Sequence, residues 1–299
     1  DPQEVKQAED HAYPAKLARQ AAFVLAQELD QNVLQAGVTN ANNTIAGGSL
    51  SASTIYTKMT DAMASLQRSN AADGPMFAVL DPERVALLAQ SEVANGFNLA
   101  DAALRNGFVG DSQAGFKVFN SNNLPTSVTL TIATNPTADD TMTIAGVTWT
   151  FKAVPAAAGE IDIGASAAAT QTDVRDALNG TGTPSATSYI EISVDNRRKY
   201  QNIQLSCAAF AANAAVITAY GKQGNTETFT DGSDGFGTET GNLVFGRIGA
   251  ISVARQMSPQ LYIKPLAAQL GDNYITHQLY GSAVFSRDAD RLVNMTLNI

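Results

Sequence analysis

Apolar residues recur at helical spacing over residues 13–36, where Ala18, Ala22, Leu25, Leu29 and Val33 fall on one face. Pro14 suits the first turn, where its missing amide hydrogen leaves nothing unpaired, and Gly37 is the expected stop. A second amphipathic helix is predicted after the Gly/Ser/Asn-rich loop of residues 37–53. It opens at Thr54 and turns Ile55, Met59, Ala62, Met63 and Leu66 inward, with Lys58, Asp61 and Arg68 outward. Asp81-Pro82-Glu83 starts a third helix through Val85, Leu87 and Leu88, with an acid at the cap, proline in the first turn and a second acid near the positive dipole end.

After Asn106-Gly107 the period shortens to two. Gly110 and Gly115 lead into a strand at 116–119, and Asn120-Ser121-Asn122-Asn123-Leu124-Pro125 forms a turn cluster. Strands are then expected at 128–132, 141–144, 147–154, 189–194, 203–205 and 216–220, with one helix at 170–178. Beyond the glycine-rich stretch 231–237 the pattern predicts a helix over 242–257, an extended run at 261–266, and strands at 274–285 and 292–297. The fold class is α+β, one domain split by an inserted, mostly β block at 126–239.

Charge supports that split, because the inserted block holds 6 basic and 12 acidic side chains within a chain of net charge −9. An acidic chain is poorly suited to gripping nucleic acid through a basic face. With 44% hydrophobic residues the 299-residue chain can bury a sizeable core, and at 7% aromatic much of that fraction is alanine, which favours helices over a deep aromatic pocket. No stretch approaches the roughly 18 apolar residues of a membrane span, and no signal peptide shows, so the chain reads as soluble and intracellular, with no membrane partner. It opens at Asp1 without an initiator methionine, as if an upstream segment had been removed or left out.

Candidate chemistry is sparse. Cys207 is the single cysteine and His11 and His277 the two histidines, which excludes a disulfide framework and any His- or Cys-rich metal site. The sequence contains no nucleophile elbow, H-E-x-x-H, phosphate loop or dinucleotide fingerprint, so no catalytic residue and no cofactor is expected. Asp231, Asp234 and Glu239 on a glycine loop are the weak candidates for a calcium site, although their spacing is not that of an EF-hand. Arg197-Arg198-Lys199-Tyr200 is either a phosphate-binding patch or an exposed hairpin end, and Asp139-Asp140 reads as turn chemistry. Trp149, Tyr189 and Tyr200 are either stacking residues for a surface glycan or the core of a small sandwich.

One ordered set of motifs is more telling. A long helix (Ala18 to Val33), Thr54-Ile55-Tyr56, Asp81-Pro82-Glu83-Arg84, Gly107-Phe108-Val109-Gly110, Gly115-Phe116-Lys117-Val118 and Ser121-Asn122-Asn123-Leu124-Pro125 follow one another. Gly249-Ala250-Ile251, Tyr280-Gly281-Ser282-Ala283-Val284 and Arg291-Leu292-Val293 complete it. Over residues 10–125 and 240–299 this resembles the major capsid proteins of tailed double-stranded DNA bacteriophages, with the Hong Kong 97 phage fold. The resemblance implies a peripheral domain (1–75 and 271–299) built on the long spine helix, an axial domain (76–125 and 240–270), and the insertion at 126–239. It implies self-association into pentamers and hexamers of an icosahedral shell, with scaffolding, portal and decoration proteins as partners and packaged DNA met only non-specifically. It implies assembly in the host bacterial cytoplasm and residence in the virion. The family's arms would lie upstream of Asp1. Leu25, Leu29, Val33, Gly107, Gly110, Gly115 and Pro125 are the expected structural or interface positions, and Leu25→Asp or Leu29→Asp is expected to bury an unpaired charge. The alternative is a tail, fibre or decoration protein whose β block binds a glycan or coat protein.

Overall fold

The computed structural model describes residues 13–71, 73–94, 114–221, 227–231, 234–265 and 272–298. They form a mixed α+β fold. Helix α1 (Tyr13–Asn40) is followed by strand β1 (Asn43–Gly48), α2 (Ile55–Arg68), β2 (Met76–Leu80), α3 (Pro82–Ala94) and β3 (Phe116–Asn120). Next come β4 (Pro125–Thr131), β5 (Thr141–Ile144), β6 (Val147–Lys152), β7 (Glu160–Asp162), α4 (Ala167–Asn179), α5 (Val194–Asn202), β8 (Ser206–Cys207) and β9 (Ala214–Tyr220). The chain closes with β10 (Thr228–Phe229), β11 (Gly235–Phe236), β12 (Thr240–Arg247), β13 (Ser252–Pro265), β14 (Asp272–Ala283) and β15 (Leu292–Asn298).

Helix α1 does not stop at Gly37. That residue is buried inside it, and a Cβ there would stand 3.0 Å from Ile251 Cδ1 and 3.2 Å from Val244 Cγ1. The glycine lets the helix approach the sheet rather than ending it. Helix α3 starts as its sequence dictates: Asp81 Oδ1 accepts from the Arg84 amide at 2.7 Å, satisfying one of the orphan donors of the first turn. In α4 the Ser166 hydroxyl caps Ala169 N, and Gly180, at φ +66°, supplies the left-handed stop.

The helix expected over 242–257 is instead β12, a turn through Gly249, and β13. Residues Leu243 to Gly246 are all buried because β12 is interior to the sheet, so its apolar run lacks the alternation that marks a one-sided strand. The strand expected at 189–194 shrinks to a single bridge, Tyr189 to Ile161, before α5 begins. Ser193 caps that helix by accepting from Asn196 N at 3.3 Å. Residues 203–205 turn, and the adjacent short strand is β8.

One sheet runs β1-β15-β12-β4-β9-β8, with β11 added on β4 and β2 and β3 joined through β12. The sheet forks at β12. Its first residues pair with β4 (Thr240 with Ser127, Gly241 with Thr126) and its last four with β2 (Val244 with Val79 through Arg247 with Met76). Two apolar cores lie on either side of this fork. The first gathers Leu34, Ile55, Met59, Leu66, Leu80, Leu88, Phe116, Val244, Phe245 and Met295, with Phe116 edge-on to Phe245 at 5.4 Å. The second gathers Leu130, Ile132, Trp149, Phe151, Val174, Tyr189, Tyr200 and Ile217.

Polar contacts line the seam between the cores. Ser121 Oγ and Asn123 Nδ2 each donate to Asp30 Oδ2 at 2.8 Å, Tyr220 OH donates to Gln35 Oε1 at 3.2 Å, and Asn242 Nδ2 donates to the Pro125 carbonyl at 3.0 Å. Residues just before position 126, and Tyr220, are thereby tied to α1, and the stretch 126–239 shares the sheet rather than hanging from a linker. The glycine-rich stretch at its exit is tied in too: β11 pairs with β4, and Asp234 accepts from the Ala133 amide at 2.6 Å.

Strands β13 and β14 stand apart as a two-stranded antiparallel ribbon. Its register shifts twice, between Arg255 and Met257 and between Met257 and Gln260, the second at Pro259, which has no amide hydrogen to give a ladder. Helix α1 packs against the ribbon, and Asn32 Nδ2 donates to Tyr280 OH at 2.6 Å.

Candidate functional site

Several chemical candidates of the sequence have a structural duty in the fold. Asp234 spends its carboxylate on the backbone of Ala133 and Thr134, and among the described residues no group of three His, Cys, Asp or Glu side chains could hold a metal, Asp231 and Glu239 included. The basic run 197–200 lies on α5, not at a hairpin end. The Arg197 guanidinium donates to the Ala177 carbonyl (2.7 Å), the Leu178 carbonyl (2.9 Å) and Glu191 Oε1 (2.5 Å), closing the C-terminal end of α4. Such a guanidinium is already engaged, whereas Arg198 is exposed, with Asp195 at 3.5 Å. The polar cleft of about 500 Å³ between α4 and α5 is therefore lined by a satisfied cap.

Trp149, Tyr189 and Tyr200 are buried in the second core, which removes them as glycan-stacking residues. The Trp149 indole donates to Tyr200 OH at 3.0 Å, and burial pushes the Tyr200 phenol well up. Cys207 is buried as well, and burial pushes its thiol up to about 12, the opposite of an activated nucleophile. Asp140 accepts from the Thr137 amide and hydroxyl, both at 2.7 Å, and Asp139 pairs with Lys152, so the adjacent acids build a turn. Of the remaining positions, Gly115 sits at φ +82° just before β3, and Pro125 is buried at the start of β4. His11, Gly107 and Gly110 lie outside the described residues.

One acid is placed against its own charge. Burial, and the neighbouring Asp162 and Asp176 carboxylates, push the Asp173 carboxyl up to about 6. Between the ordinary carboxylate range and that value the folded chain binds more protons than the unfolded one, so this group's contribution to stability falls as pH rises through that window. Asp173→Asn is expected to raise stability by about 1 kcal/mol at pH 7, well below the roughly 3 kcal/mol of an unscreened two-unit shift because the site is partly solvated. The gain should vanish at pH 4. Thermal unfolding of both proteins at the two pH values checks it.

What remains is surface. Leu25, Leu29 and Val33 are half-buried, while the residues of α1 that enter the core are Gln31, Leu34 and Gly37. An open apolar groove of about 450 Å³ runs along α1, with Val33, Leu34, Phe77, Val79, Phe119 and Ile248 among its walls. Phe119 is 45% exposed and Ile248 50%, and further along α1 Phe23 is 70% exposed. Exposed aromatic and aliphatic side chains on a helix face that continues out of the core are the features of a contact surface. Among the described residues no helix is long and apolar enough to cross a membrane.

No protein-family model matches the chain, and no curated protein matches it. Among solved structures, a weak structural neighbour is a chain from Mycobacterium phage Che8, 13% identical, covering 93% of this chain and 61% of its own with a TM-score of 0.46. The chain thus spans less than two thirds of that neighbour's length.

Proposed function

We propose that this chain is a phage structural protein, specifically the major capsid protein of a tailed double-stranded DNA phage, forming an icosahedral shell with many copies of itself. The observation that carries the reading is the thinness of the α1 and ribbon layer. One helix against two strands leaves the face of α1 bearing Phe23 and Val24, and the outer edges of β13 and β14, without a partner among the described residues. A lone two-stranded ribbon is marginal in water, so such a layer is suited to being completed by neighbours. The ordered motifs of the sequence supply the class of assembly. On this reading residues 1–75 and 271–299 form a peripheral domain, 76–125 and 240–270 an axial domain, and 126–239 an insertion directed outward. Scaffolding, portal and decoration proteins are the further partners, DNA meets the inner surface without specific recognition, and the role is non-catalytic.

Electron microscopy of the purified protein tests this. Closed shells of many copies are expected. Rings or tubes would favour a tail protein, and a homogeneous small species would overturn self-assembly altogether.

A further inference from the structure

At about 100° per residue, Arg19, Phe23, Ala26 and Asp30 of α1 fall within a stripe about 60° wide. Arg19 and Ala26 are exposed, Phe23 is 70% exposed, and Asp30 is half-buried at the edge of the apolar groove. The stripe is continuous with the face that enters the core through Leu34 and Gly37, while the opposite face of the helix, through Asn32, meets the ribbon at Tyr280. It is therefore a core-facing stripe that has run past the body of its own chain.

The order along the stripe is cation, large aromatic, small residue, anion, at spacings of four, three and four residues. Reversed, the spacings are the same, and each residue then faces its chemical complement: Arg19 opposite Asp30 and Phe23 opposite Ala26. We infer that α1 carries a self-complementary contact in which two copies cross antiparallel about a two-fold axis lying between Phe23 and Ala26. Each Phe23 packs over the other copy's Ala26, where the missing side chain leaves room for a ring, and each Arg19 reaches the other copy's Asp30 at the groove mouth.

The geometry of Asp30 suits this. Its bonds from Ser121 and Asn123 both end on Oδ2, leaving Oδ1 to accept from an incoming guanidinium. The aliphatic stem of that arginine would lie over the exposed rim formed by Phe119 and Ile248. A parallel pairing would instead set like charges side by side at both ends, which selects the antiparallel arrangement. This contact deepens the self-assembly reading and rests on it only in taking a second copy as the occupant.

Ala26→Cys, an exposed position, places two thiols near the axis within reach of a short bismaleimide, while the buried Cys207 leaves the parent protein a clean blank. The expected result is a covalent dimer at least tenfold above that from a control cysteine at exposed Ala156, with the link mapped between the two position-26 residues. Adding Arg19→Asp, which sets acid against acid, should cut the yield at least fivefold. A yield no higher than the control, or one indifferent to Arg19→Asp, overturns the contact. Electron microscopy of the same samples separates the two readings. Shells without the cross-link overturn the contact alone, and the cross-link without shells supports the contact while overturning the shell.

Discussion

Trp149→Ala is expected to destabilise the second core by about 3–5 kcal/mol, the range for removing a fully buried indole, and to leave the first core folded. Trp149 has no exposed surface, its ring stands edge-on to Tyr189 at 6.3 Å, and its indole nitrogen donates to a buried tyrosine hydroxyl. Truncation leaves a cavity walled by rings that cannot collapse into it, and strips Tyr200 of its main hydrogen-bond partner. The separation of the effect follows from the seam. Between the cores lie two β12–β4 residue pairs and a row of hydrogen bonds, not interdigitated apolar side chains. Hydrogen exchange should show protection lost in β6, β9 and α4 and kept in α2, β12 and β15. Protection lost together in both would mean the chain unfolds as one unit. Trp149→Phe, which retains most of the volume, should cost less than half as much.

Legibility in the sequence followed the strength of the local signals. Helix α2 was readable because Ile55, Met59, Ala62 and Leu66 repeat at helical spacing and are the residues it buries. The start of α3 was readable because Asp81-Pro82 writes a cap chemically. Strands β5 and β6 alternate cleanly, since one face, with Met142, Ile144, Trp149 and Phe151, packs into the second core while the other is turned toward solvent. Strand β12 was not readable, because burial on both sides erases the alternation, and its fork between β2 and β4 depends on partners more than a hundred residues away. Helix α5 was obscured by its composition: Arg197, Arg198 and Lys199 suggested a phosphate-binding patch or an exposed hairpin end, and the informative residue was the cap, Ser193. The candidate chemistry was legible mainly as absence. That Arg197 serves as the C-terminal cap of α4 could not be read from a run of basic residues, because its partners are carbonyls brought near by the fold.

Helix α1 shows where periodicity misleads. Spacing alone selects Leu25, Leu29 and Val33 as its inward stripe, yet these are half-buried and Leu34 is the side chain driven into the core, at 4% exposed. The reason is that α1 is packed on two sides: the ribbon takes the face of Asn32, and the sheet takes the face of Leu34 and Gly37. A helix sandwiched in this way carries two apolar stripes, and its sequence yields no single strong face. Leu34→Asp is therefore expected to be the severe substitution. It places a carboxylate in the apolar first core, where Leu34 is buried, at a cost of about 4 kcal/mol or more, a large part of the margin of a typical domain. No soluble folded chain should be recovered. Leu25→Asp, whose charge can turn to solvent beside the ribbon, should cost about 1 kcal/mol and fold. The yield of soluble folded chain from the two variants, with urea unfolding of Leu25→Asp beside the parent, decides it: a Leu34→Asp chain that folds with no greater loss than Leu25→Asp would mean that the ribbon buries α1 as completely as the sheet does, and the order of severity would then follow the spacing after all.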